Sequence, residues 1–193
     1  APFGEFFEKF LFYRGIGNFE LPLQLSAAAG DRYELTNTGA EPIRSLFLVT
    51  AHEGKVRFAS VDGIKPGERL RLNQSKDDST VEALGEAVVA ALMEEKLYEK
   101  EARAMVKTWQ ESWFGEEGTR LFYMLPQSVT DELLPLTIDP VPDETVRVMV
   151  GRLEIMRPED EARVTALVQQ SAKDRAAAQE LRSQNSEAPQ YKL

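Results

Sequence analysis

Residues 79–126 read STVEALGEAVVAALMEEKLYEKEARAMVKTWQESWFGEEGTRLFYMLP, an acidic helical block that runs straight into an apolar strand. The block holds both tryptophans of the chain, Trp109 and Trp113. Val81, Leu84, Val88 and Leu92 recur at helical spacing, with Val89 and Met93 widening the stripe, and Ser79 or Thr80 supplies an N-cap. Past Met93 the phase slips, and Leu97, Tyr98, Ala102, Met105, Val106, Trp109 and Trp113 define a second stripe. The slip over residues 94–98 predicts a pair of helices rather than one rod. Gly115, Glu116, Glu117 and Gly118 close the second arm, and Thr119–Leu125 is a strand.

Upstream of this block the chain is β-patterned. Strands are expected over residues 6–13, 19–25, 32–36, 43–50, 55–61 and 69–72, with Pro22 marking an edge and Gly54 a hairpin. Asn37-Thr38-Gly39 and Pro66-Gly67-Glu68 provide turns. Short strands at this spacing favour an antiparallel sandwich, and their pattern is similar to that of extracytoplasmic immunoglobulin-like modules. Downstream, a short helix over 126–134, a short strand over 136–138 and a long strand over 145–156, with Gly151 as a bulge, precede a helix that Pro158 opens. That last helix, reaching to about Arg182, carries a thin stripe of Val164, Leu167, Val168, Ala172 and Leu181, which suits a surface or a partner. The fold class is therefore α+β: a sandwich-like lobe over 1–73, a helix pair with strands packed on it over 79–156, and a surface helix with a polar tail over 158–193.

Composition narrows the chemistry. Apolar residues make up 42% of the chain, enough for a folded core. A net charge of -9 argues against nucleic acid and against an anionic bilayer as partners. No apolar run approaches the roughly 18 residues that span a membrane. Without cysteine there are no disulfides, zinc thiolates or thiol nucleophiles. A single histidine, His52, excludes multi-histidine metal sites, and no cofactor is expected.

Three segments carry a resemblance. EKFLFYRGIGNF (8–19), LYEKEARAMVKTWQESWF (97–114) and EEGTRLFYMLP (116–126) are similar to a bacterial family of exported proteins of uncharacterised function, over residues 8–156. In that family such segments form the C-terminal part of a longer chain. The resemblance implies an extracytoplasmic location and a preceding N-terminal region, in keeping with a first residue other than methionine; it implies no activity and offers no catalytic residues to carry over.

Several side chains could carry chemistry. His52 is the one candidate neutral-pH proton shuttle, and its place after a strand reads more simply as a hairpin residue. Glu94, Glu95, Glu99 and Glu101 could bind a cation, but Lys96, Lys100 and Arg103 interleave with them as on a solvated face. Trp109 and Trp113 lie four apart on one helical face and could form an aromatic platform; Met105, Val106 and Phe114 beside them favour core packing. Glu116, Glu117 and Arg120 form a charge cluster that either holds a loop or recognises a partner. Gly15 and Gly17 in RGIGNF read as a turn, and no serine has a Gly-x-Ser-x-Gly context.

The expectation is a non-enzymatic extracytoplasmic interaction or scaffold module, contacting another protein chain or the preceding region through Trp109, Trp113, Glu116, Glu117 and Arg120. The alternative is a carboxylate-based hydrolase, acting on glycans, with acidic residues near Tyr98 or Gly115. A small-ligand binder built on the aromatic start is a third reading.

Overall fold

The computed structural model describes residues 19–28, 30 and 32–186. The strand expected over 6–13 and the turn after it lie outside these residues. The described chain forms β1 (Leu23–Ala28), β2 (Arg32–Asn37), β3 (Leu46–His52), β4 (Lys55–Val61), β5 (Arg69–Asn73), α1 (Val81–Glu94), α2 (Glu99–Gln110), a π turn (Glu111–Gly115), β6 (Gly118–Leu125), α3 (Gln127–Leu133), β7 (Met149–Ile155) and α4 (Pro158–Ser186). The fold is α+β, and both sheets are antiparallel. The described residues fall into two compact units, one ending at Ile155 and the other beginning at Met156.

In the first unit, β3 and β6 set the layering. Both are apolar on both sides: Leu46 and Leu48 point one way and Phe47, Val49 and Ala51 the other, all buried. Leu121, Tyr123 and Leu125 alternate in the same manner with Phe122 and Met124. Strands of that kind belong in a sheet covered on both faces. They form the middle of the sheet β4–β3–β6–β7. One face packs Leu46, Leu48, Leu121 and Tyr123 against Leu23, Tyr33, Leu35 and Leu72 of a second sheet, β1–β2–β5. The other packs Phe47, Val49, Phe122 and Met124 against Leu84, Val88, Leu92, Ala102, Val106, Trp113 and Phe114 of the helical block. The result is three layers: sheet, sheet, helices.

The pairing of β3 with β6 joins the first third of the chain to the segment beyond the helices. The expected boundary between 73 and 79 thus separates elements that share one sheet. His52 pairs with Lys55 across a two-residue turn in which Glu53 and Gly54 both take left-handed φ, 50° and 75°, the backbone that the twist of a tight hairpin requires. Asn37, fully buried, ties the two turn motifs together. Its N–H donates to Glu68 O at 3.1 Å and its carbonyl accepts from Gly67 N–H at 2.9 Å. Its side chain donates to Glu41 O and Ile64 O and accepts from Gly39 N–H.

Five expectations are corrected. β1 begins at Leu23 rather than Phe19, and β3 at Leu46 rather than Ile43, which forms an isolated bridge to Ile64. Residues 136–138 are irregular rather than a strand. β7 begins at Met149 rather than Thr145, because its partner β6 ends at Leu125, opposite Met149. Gly151 is no bulge: the β6–β7 register runs unbroken through Tyr123 and Gly151. A Cβ on Gly151 would lie 2.1 Å from Tyr123 Cζ, so the phenol ring occupies the space a side chain would fill.

The second unit is α4. From Glu161 to Ser183 every residue is exposed, and its first turn is tied by Arg157 to Asp160 at 2.8 Å. Among the described residues, no helix is long and apolar enough to cross a membrane.

Candidate functional site

α1 starts where Thr80 Oγ1 accepts from Ala83 N–H at 3.0 Å, satisfying one of the orphan donors of a helix start. It ends with Lys96 N–H bonded to Met93 O and Leu97 N–H to Leu92 O. This hydrogen-bond pair puts Lys96 in the left-handed region, φ 72°, where glycine is the usual choice. α2 begins one residue after Tyr98, whose N–H donates to the Glu101 carboxylate at 2.8 Å. Arg103 then joins Glu99 on its own helix to Glu86 on α1.

At its far end α2 widens into the π turn, which sets the two indoles parallel. Their ring centroids are 6.4 Å apart with 16° between planes. Trp113 lies 5.7 Å from Phe122 and 6.1 Å from Phe114 by ring centroid and keeps 9% exposure. Trp109 is half-buried beside it. Trp113 therefore serves as packing between the helical block and the central sheet, with its main chain turned toward the charged residues that follow.

Arg120 is the side chain those residues converge on. It points to the helix side of β6 with 1% exposure. Nη1 donates to Trp113 O at 3.0 Å and Nη2 to Glu117 O at 2.9 Å. Carbonyls at a helix end lack intrahelical partners and carry partial negative charge, and a guanidinium satisfies both needs. Nε lies 3.4 Å from Glu154 Oε2, an ion pair without hydrogen-bond alignment. Arg152, opposite Phe122 on β7, repeats the arrangement: Nη1 donates to Ser112 O at 2.8 Å and to Ser112 Oγ at 3.1 Å. Its remaining nitrogens bind Glu116 and Glu154. Glu117 turns the opposite way, accepting from Glu53 N–H at 2.7 Å and lying 3.0 Å from His52 Nδ1, so it ties the β3–β4 hairpin to the start of β6.

Of the five expected contact residues, Trp113, Glu116, Glu117 and Arg120 thus meet at one junction, and Trp109 adjoins it by stacking on Trp113. Arg152, Glu154 and Ser112, which complete it, were not singled out by sequence because their proximity depends on the β6–β7 register. The carboxylates are held ionised: the hydrogen bond from Arg152 lowers the Glu116 pKa, and those from His52 and the Glu53 N–H lower that of Glu117. Carboxylates anchored in this way hold elements together and are poor proton donors. Around the helix break, Glu99 and Glu101 are likewise engaged, while burial pushes Glu95 upward. Among the described residues, no group of three or more His, Asp or Glu is placed to hold a metal ion. In comparisons with known proteins, the chain matches no family model, no curated protein and no solved structure.

Proposed function

We propose that this chain is a non-enzymatic interaction or scaffold module of the bacterial cell envelope. In this reading its sandwich is immunoglobulin-like in pattern, and it belongs to an exported family whose members carry a further N-terminal region. The observation that supports the reading most directly is the use made of charge at the helix-to-strand junction. Arg120 and Arg152 bind main-chain carbonyls of the helical block, and Glu117 binds the hairpin. The polar groups gathered there are engaged in joining elements, in a frame suited to presenting surface. Exposed aliphatic side chains outside the core, Leu136, Ile138 and Val141 in the first unit and Leu167 and Leu181 on α4, offer contact area.

Affinity capture of the native full-length protein, with identification of co-purifying chains, tests this reading. A stoichiometric protein partner is expected. Recovery of the bait alone with a retained small molecule would reject it in favour of ligand binding, and turnover of a glycan abolished by a carboxylate substitution would reject it in favour of a hydrolase.

A further inference from the structure

The connection from α3 to β7, residues 134–148, has no helix or strand of its own. Connections beyond about 12–15 residues without such structure are uncommon in compact domains and are usually functional. This one is pinned at both ends. The buried Arg147 donates Nη1 to Asp131 Oδ1 at 2.6 Å and Nη2 to Leu134 O at 2.5 Å. Gln127 Nε2 donates to Thr145 O at 3.0 Å. Between the connection and α3 lies a cleft of about 410 Å³, bordered by Leu136, Ile138 and Val141. Val141 is 86% exposed, a large apolar side chain standing in water without a packing role in the first unit.

Two further features say what would fill the cleft. Among the described residues, no hydrogen bond reaches the main chain of Leu136, Thr137 or Ile138. Their N–H and C=O groups are therefore available to an added strand, and Leu136 and Ile138 have the two-residue spacing of strand side chains on one face. The segment around the cleft is acidic. Asp131, Glu132, Asp139, Asp143 and Glu144 fall within residues 131–146, which contain no Lys or Arg, and the next cation, Arg147, is buried against Asp131. An acidic segment around the cleft recruits a cationic partner and repels a second copy of a chain with net charge -9.

We propose that the cleft beneath residues 134–148 docks an extended segment of a partner protein in which apolar residues alternate with Lys or Arg. This rests on the reading of the chain as an interaction module. The apolar side chains enter beside Leu136, Ile138 and Val141, the main chain pairs with Leu136–Ile138, and the basic residues face the exposed carboxylates of residues 131–146.

The test is an NMR titration of the full chain with a synthetic peptide of about ten residues alternating leucine and lysine. Amide resonances of Leu136, Thr137, Ile138 and Val141 are expected to move. Val141→Asp and Ile138→Asp, both at surface positions, are each expected to weaken binding by about tenfold or more. Raising salt from about 0.05 to about 0.5 M is expected to weaken it as well. Equal binding of a peptide with glutamate in place of lysine overturns the proposal, as do shifts confined to other residues. Concentration-dependent shifts at these amides without peptide assign the face to a second copy and overturn it too. A partner captured equally by the native protein and by Val141→Asp removes this site while leaving the interaction-module reading intact. Absence of any captured partner counts against that reading, and the titration still decides what the cleft binds.

Discussion

The main-chain carbonyl of Trp113 accepts a hydrogen bond from the Arg120 guanidinium at 3.0 Å, in an environment that leaves Arg120 1% exposed. The same guanidinium binds Glu117 O, so one side chain on the central sheet holds both sides of the bend between helix and strand. Replacing Arg120 by methionine fills similar volume but strands the buried carbonyl of Trp113 and the partly buried one of Glu117, and should lower stability by about 3 kcal/mol. Arg120→Lys should recover little, because an ammonium lacks the planar fork that reaches both oxygens. Urea unfolding followed by tryptophan fluorescence measures both.

Tyr123 and Gly151 face each other across β6 and β7 with the phenol ring over the glycine. Gly151→Ala should cost about 1–3 kcal/mol through overpacking. Combining it with Tyr123→Leu should cost less than the two changes summed, as a double-mutant cycle would report. Among the described residues, the buried Tyr123 hydroxyl has no hydrogen-bond partner. Tyr123→Phe should therefore leave stability unchanged or raise it by up to about 1 kcal/mol.

Burial raises the Tyr123 pKa to about 12. The folded state thus favours the neutral phenol, and the associated stability is complete below about pH 10, where an unfolded tyrosine titrates. It is lost as pH rises from there through the folded value. Tyr123→Phe should flatten this alkaline decline in a stability-versus-pH series.

Glu117 shows the opposite sign. Its pKa is lowered by His52 and the Glu53 N–H from the ordinary 4.5, so the hairpin tether is present above that value and weakens as pH falls through the lower folded one. The hydrogen-exchange protection factor of the Glu53 amide, taken against its intrinsic rate at each pH, should fall over that acidic range. Glu117→Gln should show faster exchange at neutral pH than the native chain.

Lys96 occupies a left-handed conformation, φ 72°, at the end of α1. A Cβ is disfavoured there, so Lys96→Gly should raise stability by about 0.5–1 kcal/mol. Lys96→Val should lower it. Thermal melts of the two variants separate the outcomes.

Periodicity and turn chemistry made several elements legible in the chain. The slip after Met93 located the break between α1 and α2, Gly54 the hairpin, and Pro158 the start of α4. Those signals are local: a helix phase, a positive φ or a missing N–H is specified within a few residues. The layer order was not of that kind. The two-sided apolar runs of β3 and β6 were present in the sequence, but their mutual pairing spans the whole helical block, and no nearby residue encodes it. The same holds for the junction. Trp113 and Arg120 lie seven residues apart and were marked together, whereas Arg152 and Glu154 reach them through the β6–β7 register. Composition and short-range pattern thus specified which elements form, while sheet pairing chose their neighbours, because side chains distant in the chain meet after backbone hydrogen bonds align the strands that carry them.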